Sequence, residues 1–229
     1  MSNAKGANNK MDEETVKTVA ERLVKAGMEL YYGGYVKGAS GNISMRLPHA
    51  EAFLIKPSGA SLRDMKADEL VLVDFHGVKL SGKAAVSLET PIHAAIYSVR
   101  KDVGAVVHTH PLATTVLGIA GYKILPLQVE SYMRFPEGVT MVPYAPPGSK
   151  MLAETVKQRI LECDALVLEN HGLITVGKTI EGACRLTEIV EESAKIQCML
   201  MAITGSSKYS EEELASKYSM NRKKSIQGC

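Results

Sequence analysis

From Asp12 onward, Val16, Val19, Ala20, Leu23, Val24, Gly27 and Leu30 recur three and four positions apart, which predicts an amphipathic helix ended by Gly33-Gly34. Between Gly41 and Gly82 the pattern shortens to strand-like runs at 43–47, 52–56, 70–75 and 78–80, separated by Pro, Gly, Asp and Ser. These read as an antiparallel meander. Thr90, as a hydroxyl N-cap, followed by Pro91 predicts a helix running to about Arg100. A buried strand at 103–109 follows, then a helix at 112–120, strands near 123–128 and 139–144, and a helix at 149–161. The apolar strand 165–168 has a hairpin partner at 172–176. The long helix 179–204 carries apolar residues on more than one face, which suggests a subunit contact. The expected organisation is a flexible lead at 1–11, one α/β domain at 12–207 with a mostly antiparallel sheet, and a polar tail at 208–229.

Hydrophobic residues make up 45% of the 229 and charged residues 23%, a balance that disfavours intrinsic disorder and coiled coils. The net charge is only +2, and the basic residues are dispersed apart from Arg222, Lys223 and Lys224. No general nucleic-acid surface is expected. Every apolar run falls short of the roughly 18 to 20 residues a bilayer span needs, and the first ten residues lack a hydrophobic signal core. A cytoplasmic chain with no membrane association is therefore expected. Cys163, Cys184, Cys198 and Cys229 form no C-x-x-C pair and read as reduced thiols.

The strongest chemical signal is His108-Thr109-His110 at the end of one apolar strand, with His171 just after another. Strand alternation puts His108 and His110 on one face, about 6.5 to 7 Å apart along the backbone, from which two imidazoles reach one ion. Three neutral nitrogens with an open fourth position suit a catalytic zinc site, although H-x-H pairs also occur simply as polar strand caps. His49, His76 and His93 read as structural or solvated. Glu89 precedes a helix start, where unpaired amides favour a negative charge; it is a proton acceptor, a fourth metal ligand, or an exposed helix-start residue. Small-residue turns at 38–42 and 57–59, with Ser87, offer backbone approach and neutral donors to a phosphate, and neither is a nucleotide-binding motif.

In this order, Gly41-Asn42-Ile43-Ser44, Pro57-Ser58-Gly59, Ser87-Leu88-Glu89, His108-Thr109-His110 and Asn170-His171-Gly172 resemble the class II aldolase and adducin family over about residues 12–204. The likeness is greatest to its bacterial L-fuculose-1-phosphate aldolase branch. The resemblance implies a three-layer α/β/α fold with a central, mostly antiparallel sheet, and a homotetramer with sites between subunits. It implies a zinc-dependent carbon–carbon lyase acting on a small phosphorylated sugar, with one Zn²⁺ per subunit. The reaction would cleave a ketose 1-phosphate to dihydroxyacetone phosphate and a short aldehyde through a metal-stabilised enediolate.

On the same resemblance, His108, His110 and His171 match the zinc ligands, and Glu89 matches the acid/base and a displaceable ligand. Asn42, Ser58, Gly59 and Ser87 match phosphate-site positions, with Leu88 standing where a second serine is often found. The acid that serves the departing aldehyde falls among Glu130, Tyr132, Tyr209 and Tyr218. Epimerases of the family typically carry Asp where this chain has Glu89, which favours the aldolase. Dehydratase and sugar-acid phosphate decarboxylase branches, and a non-catalytic adducin-like module, remain alternatives.

Overall fold

The computed structural model describes residues 13–205 together with 213, 214, 216 and 218; the expected lead and most of the expected tail lie outside them. Eight strands form one sheet in the order β4-β3-β2-β1-β5-β8-β7-β6. The meander is β1 (Asn42–Arg46), β2 (Ala52–Ile55), β3 (Val71–Asp74) and β4 (Lys79–Ser81), each strand antiparallel to the next. After α2 (Thr90–Val99) the chain enters the sheet centre as β5 (Ala105–Thr109). There β5 lies antiparallel to both β1 and β8 (Gly172–Gly177). One pair is parallel, β6 (Thr140–Val142) with β7 (Ala165–Leu168).

Period-two alternation sorts the side chains into two layers. Phe53, Ile55, Val106, Ile174 and Val176 pack with α2 and α5 (Lys150–Arg159) on one face. Leu54, Ala105 and Val107 pack with α1 (Glu13–Tyr32) and the start of α6 (Ile180–Thr204) on the other. On that second face, α3 (Leu112–Ile119) and the middle of α6 cover Val167 and Leu173. The result is the expected three-layer α/β/α architecture. Each fully buried aliphatic side chain contributes on the order of 1.5 to 3 kcal/mol, which leaves the polar strand ends free for chemistry.

Two expectations fail locally. The run 123–128 forms a single bridge, Ile124 to Val139, because Pro126 cannot donate to a ladder. It is followed by α4 (Val129–Arg134), where Ser131 Oγ accepts from Gln128 N–H at 3.0 Å and closes the first turn. Helix α2 begins one residue earlier than its hydroxyl suggested: Glu89 occupies the cap position and Thr90 lies inside, its Oγ1 buried without a partner. The Glu89 side chain makes no bond to its own helix and turns instead toward the strand ends.

Candidate active site

Sheet register assembles the site. Asn42 on β1 pairs with His108 on β5, and Thr109 pairs with Leu173 on β8, so the turn between β7 and β8 delivers His171 beside both. Asn170 makes that turn in the left-handed region, at φ 55°, which asparagine tolerates better than most residues. Gly172 is required by crowding rather than by φ. A β-carbon there would meet the Thr109 carbonyl oxygen and come within 2.6 Å of His110 Cδ2. Gly172→Ala is expected to push the histidine rings apart, cost roughly 1 to 3 kcal/mol from overpacking, and weaken divalent-metal binding, read by isothermal titration.

The three rings converge: one potential ligand atom from each of His108, His110 and His171 lies within 4.8 Å of the others. His108 Nε2 is 3.0 Å from His110 Nε2 and 3.1 Å from Glu89 Oε2, and His171 Nε2 is 3.3 Å from Glu89 Oε1. His108 Nδ1 lies 3.0 Å from the Leu173 carbonyl oxygen, to which only a protonated nitrogen bonds, so in the neutral ring Nε2 carries a lone pair. That lone pair faces another ring nitrogen and a carboxylate oxygen. A proton placed there relieves one of these contacts, whereas a divalent cation relieves all of them. Tetrahedral Zn–N bonds of about 2.0 to 2.1 Å put ligand nitrogens about 3.3 Å apart, close to the 3.0 Å between the His108 and His110 Nε2 atoms.

Electrostatics agree with this. Burial pushes the His110 ring down to about 3, with His108 adding to the effect, and burial lowers His171 as well, so both stay neutral and available as ligands. Burial alone would raise the Glu89 carboxyl. Positive charge at the facing His108 and His171 positions, present when those rings are protonated, and the hydrogen bond accepted from Asn42 Nδ2 at 2.7 Å outweigh it and hold the group well below the usual carboxylate range. Glu89 is therefore an anion at neutral pH.

The expected phosphate positions are partly brought together. Ser58 N–H donates to Ala85 O at 3.0 Å, which ties the 57–60 turn to the loop that leads into Ser87. Gly59 is exposed, with φ 73° and open space where a β-carbon would sit. Ser87 Oγ lies within reach of the Glu89 N–H at 3.3 Å. Asn42 is buried, and its amide N–H is committed to Glu89.

Lys56 was missed by the sequence reading. Its ammonium is buried and donates to Ala39 O at 2.8 Å and Ala60 O at 2.6 Å, lacing the two glycine turns together. Burial lowers it to about 8, opposed by the charge of Glu89. The one available signal was a lysine sitting between two glycine-bearing loops. Of the second-acid candidates, Glu130 and Tyr132 lie on α4 and Tyr209 is outside the described residues. Tyr132 stacks on Tyr218 at 4.6 Å, and the Tyr218 hydroxyl donates to Leu127 O at 3.0 Å.

Sheet and site together place the protein among the class II aldolases. Residues 21–198 match the family described as Class II Aldolase and Adducin N-terminal domain, and the chain belongs to that family. It is 31% identical over 183 residues to an L-fuculose phosphate aldolase of Methanocaldococcus jannaschii, covering 80% of this chain and 97% of the relative. It is 33% identical over 181 residues to a 3-oxo-tetronate 4-phosphate decarboxylase of Haemophilus influenzae, covering 77% and 85%. A solved L-fuculose 1-phosphate aldolase superimposes with a TM-score of 0.77 at 28% identity, over 88% of this chain and 96% of that one. Among the described residues, no helix is long and apolar enough to cross a membrane.

Proposed function

We propose that the protein is a zinc-dependent aldolase that cleaves a ketose 1-phosphate, of the L-fuculose 1-phosphate type, to dihydroxyacetone phosphate and a short aldehyde. The observation that carries this reading is the convergence of ring nitrogens of His108, His110 and His171 on one another and on the Glu89 carboxylate. His108, His110 and His171 would hold the ion, and a bound Zn²⁺ supplies Lewis-acid stabilisation of negative charge developing on substrate oxygens.

The chain's own residues do the rest. The 57–60 turn and Ser87, steadied by Lys56, bind the phosphate through backbone and hydroxyl donors and fix the sugar's register. Glu89, ionised, takes the proton from the carbon next to the carbonyl of dihydroxyacetone phosphate in the addition direction and returns it on cleavage. Exposed Leu112, Val116 and Ile119 form one stripe of α3 and, with Met199 and Ile203 on α6, support the homotetramer reading.

A second reading, decarboxylation of a phosphorylated four-carbon keto acid, is favoured by the Haemophilus influenzae relative at similar identity. It would use the same site to hold the enolate left after loss of CO₂. Product analysis separates the two. The zinc-loaded protein is incubated with ketose 1-phosphates, pentulose 5-phosphates and a 3-oxo-tetronate 4-phosphate. The aldolase reading expects dihydroxyacetone phosphate from a ketose 1-phosphate. Release of CO₂ together with dihydroxyacetone phosphate from the 3-oxo-tetronate 4-phosphate, with no ketose 1-phosphate cleaved, would replace it with the decarboxylase, and a 4-epimer alone with the epimerase.

A further inference from the structure

Behind the site lies a buried polar chain that the reaction scheme does not use. Ser44 on β1 and His93 and Tyr97 on α2 are all fully buried. Tyr97 OH is 2.8 Å from Ser44 Oγ, Ser44 Oγ is 2.6 Å from His93 Nδ1, and His93 Nε2 is bonded to Asn42 Oδ1. Asn42 Nδ2 then reaches Glu89 Oε2 at 2.7 Å. The chain therefore runs unbroken from the helix interior to the carboxylate.

Its direction follows from one end. Asn42 turns its NH₂ to Glu89 and its carbonyl oxygen to His93, and an amide oxygen only accepts. His93 must then carry its hydrogen on Nε2, leaving Nδ1 to accept from the Ser44 hydroxyl. The Ser44 oxygen is then left to accept from the Tyr97 hydroxyl. Burial pushes the His93 ring down to about 3, so the ring is neutral and has a single hydrogen to give. Its plane is set by stacking on Phe53, with centroids 6.5 Å apart and planes 18° apart. An Asn42 flip would put two oxygens face to face at Glu89 and two hydrogens face to face at His93.

We propose that His93 is a positioning residue: in the Nε2–H form, with Ser44 bonded at Nδ1, it gives its hydrogen to the Asn42 carbonyl and keeps the amide turned so that an N–H points at Glu89. Its catalytic consequence rests on the aldolase reading, whereas the tautomer does not. The test has two arms on the full-length protein. In the first, long-range ¹H–¹⁵N spectra of ¹⁵N-histidine-labelled protein are recorded at neutral pH, with the His93 signals identified by their loss in His93→Gln. The Nε2–H tautomer is expected, and an Nδ1–H or doubly protonated ring would overturn the proposal.

In the second arm, His93→Leu and His93→Gln are assayed on the sugar phosphate that the wild type cleaves, with bound zinc measured in each. His93→Leu is expected to lower kcat roughly 10- to 100-fold with KM and zinc content held. His93→Gln should recover most of the loss, because its amide supplies an N–H for Asn42 and an oxygen for Ser44. A His93→Leu variant at wild-type kcat, or a glutamine variant as slow as the leucine one, would overturn the proposal. If the wild type turns over no sugar phosphate, the aldolase reading falls and the tautomer alone decides the role of His93.

Discussion

Replacing His108 by alanine is expected to abolish stoichiometric zinc binding and to reduce turnover by at least about 10³-fold, equivalent to roughly 4 kcal/mol of transition-state stabilisation. His108 is the hub of the cluster. Its Nε2 is within 3.1 Å of both His110 and Glu89, and its other nitrogen is anchored on Leu173 O. Two imidazoles left alone do not make a tight structural cage for a divalent ion. The surrounding β5 and β8 core is aliphatic, so the fold should survive. The exception is a cost of about 1 to 3 kcal/mol from the orphaned carbonyl and the space left behind. Zinc analysis after gel filtration and a thermal melt separate these effects. A variant that keeps one zinc per chain would show that the ion sits elsewhere.

Glu89→Gln should behave differently. The amide is nearly isosteric and lies among the same neighbours, but it cannot accept a proton. Zinc is expected to remain while kcat falls by roughly 10²- to 10⁴-fold. The side chain is positioned by Asn42 and held as an anion beside His108 and His171, so the wild-type carboxylate is in its proton-accepting form at neutral pH. Exchange of the proton on the carbon next to the carbonyl of dihydroxyacetone phosphate with solvent, followed by deuterium incorporation, isolates this step from carbon–carbon cleavage. Exchange at the wild-type rate in the glutamine variant would remove Glu89 from the proton transfer.

Much of this arrangement was legible in the residues. Helix α1 and the meander carry long, clean periods, and β5 and β7 are apolar runs bounded by Gly, Asp and His, so their types follow from burial alone. The histidine cluster was legible for a related reason: a strand end is where alternation stops burying side chains and starts presenting them, as at His108 and at the turn carrying His171. The short helix α4 was not, because six residues after a proline show no period. Lys56 and the His93 chain were hidden by a different cause. Glu89, His93 and Tyr97 do recur every four residues along α2, and Asn42 and Ser44 every two along β1. What gives those spacings meaning is the packing of that helix against that strand, a long-range fact. The burial of Lys56 likewise depends on two carbonyls from separate loops.

The central claim is that His108, His110 and His171 grip one divalent cation together. X-ray absorption at the zinc edge of the fully loaded protein tests it most directly. One zinc per chain is expected, with three nitrogen neighbours at about 2.0 to 2.1 Å and the remaining shell oxygen. A first shell containing sulfur at about 2.3 Å, or fewer than three imidazole nitrogens, would contradict the account.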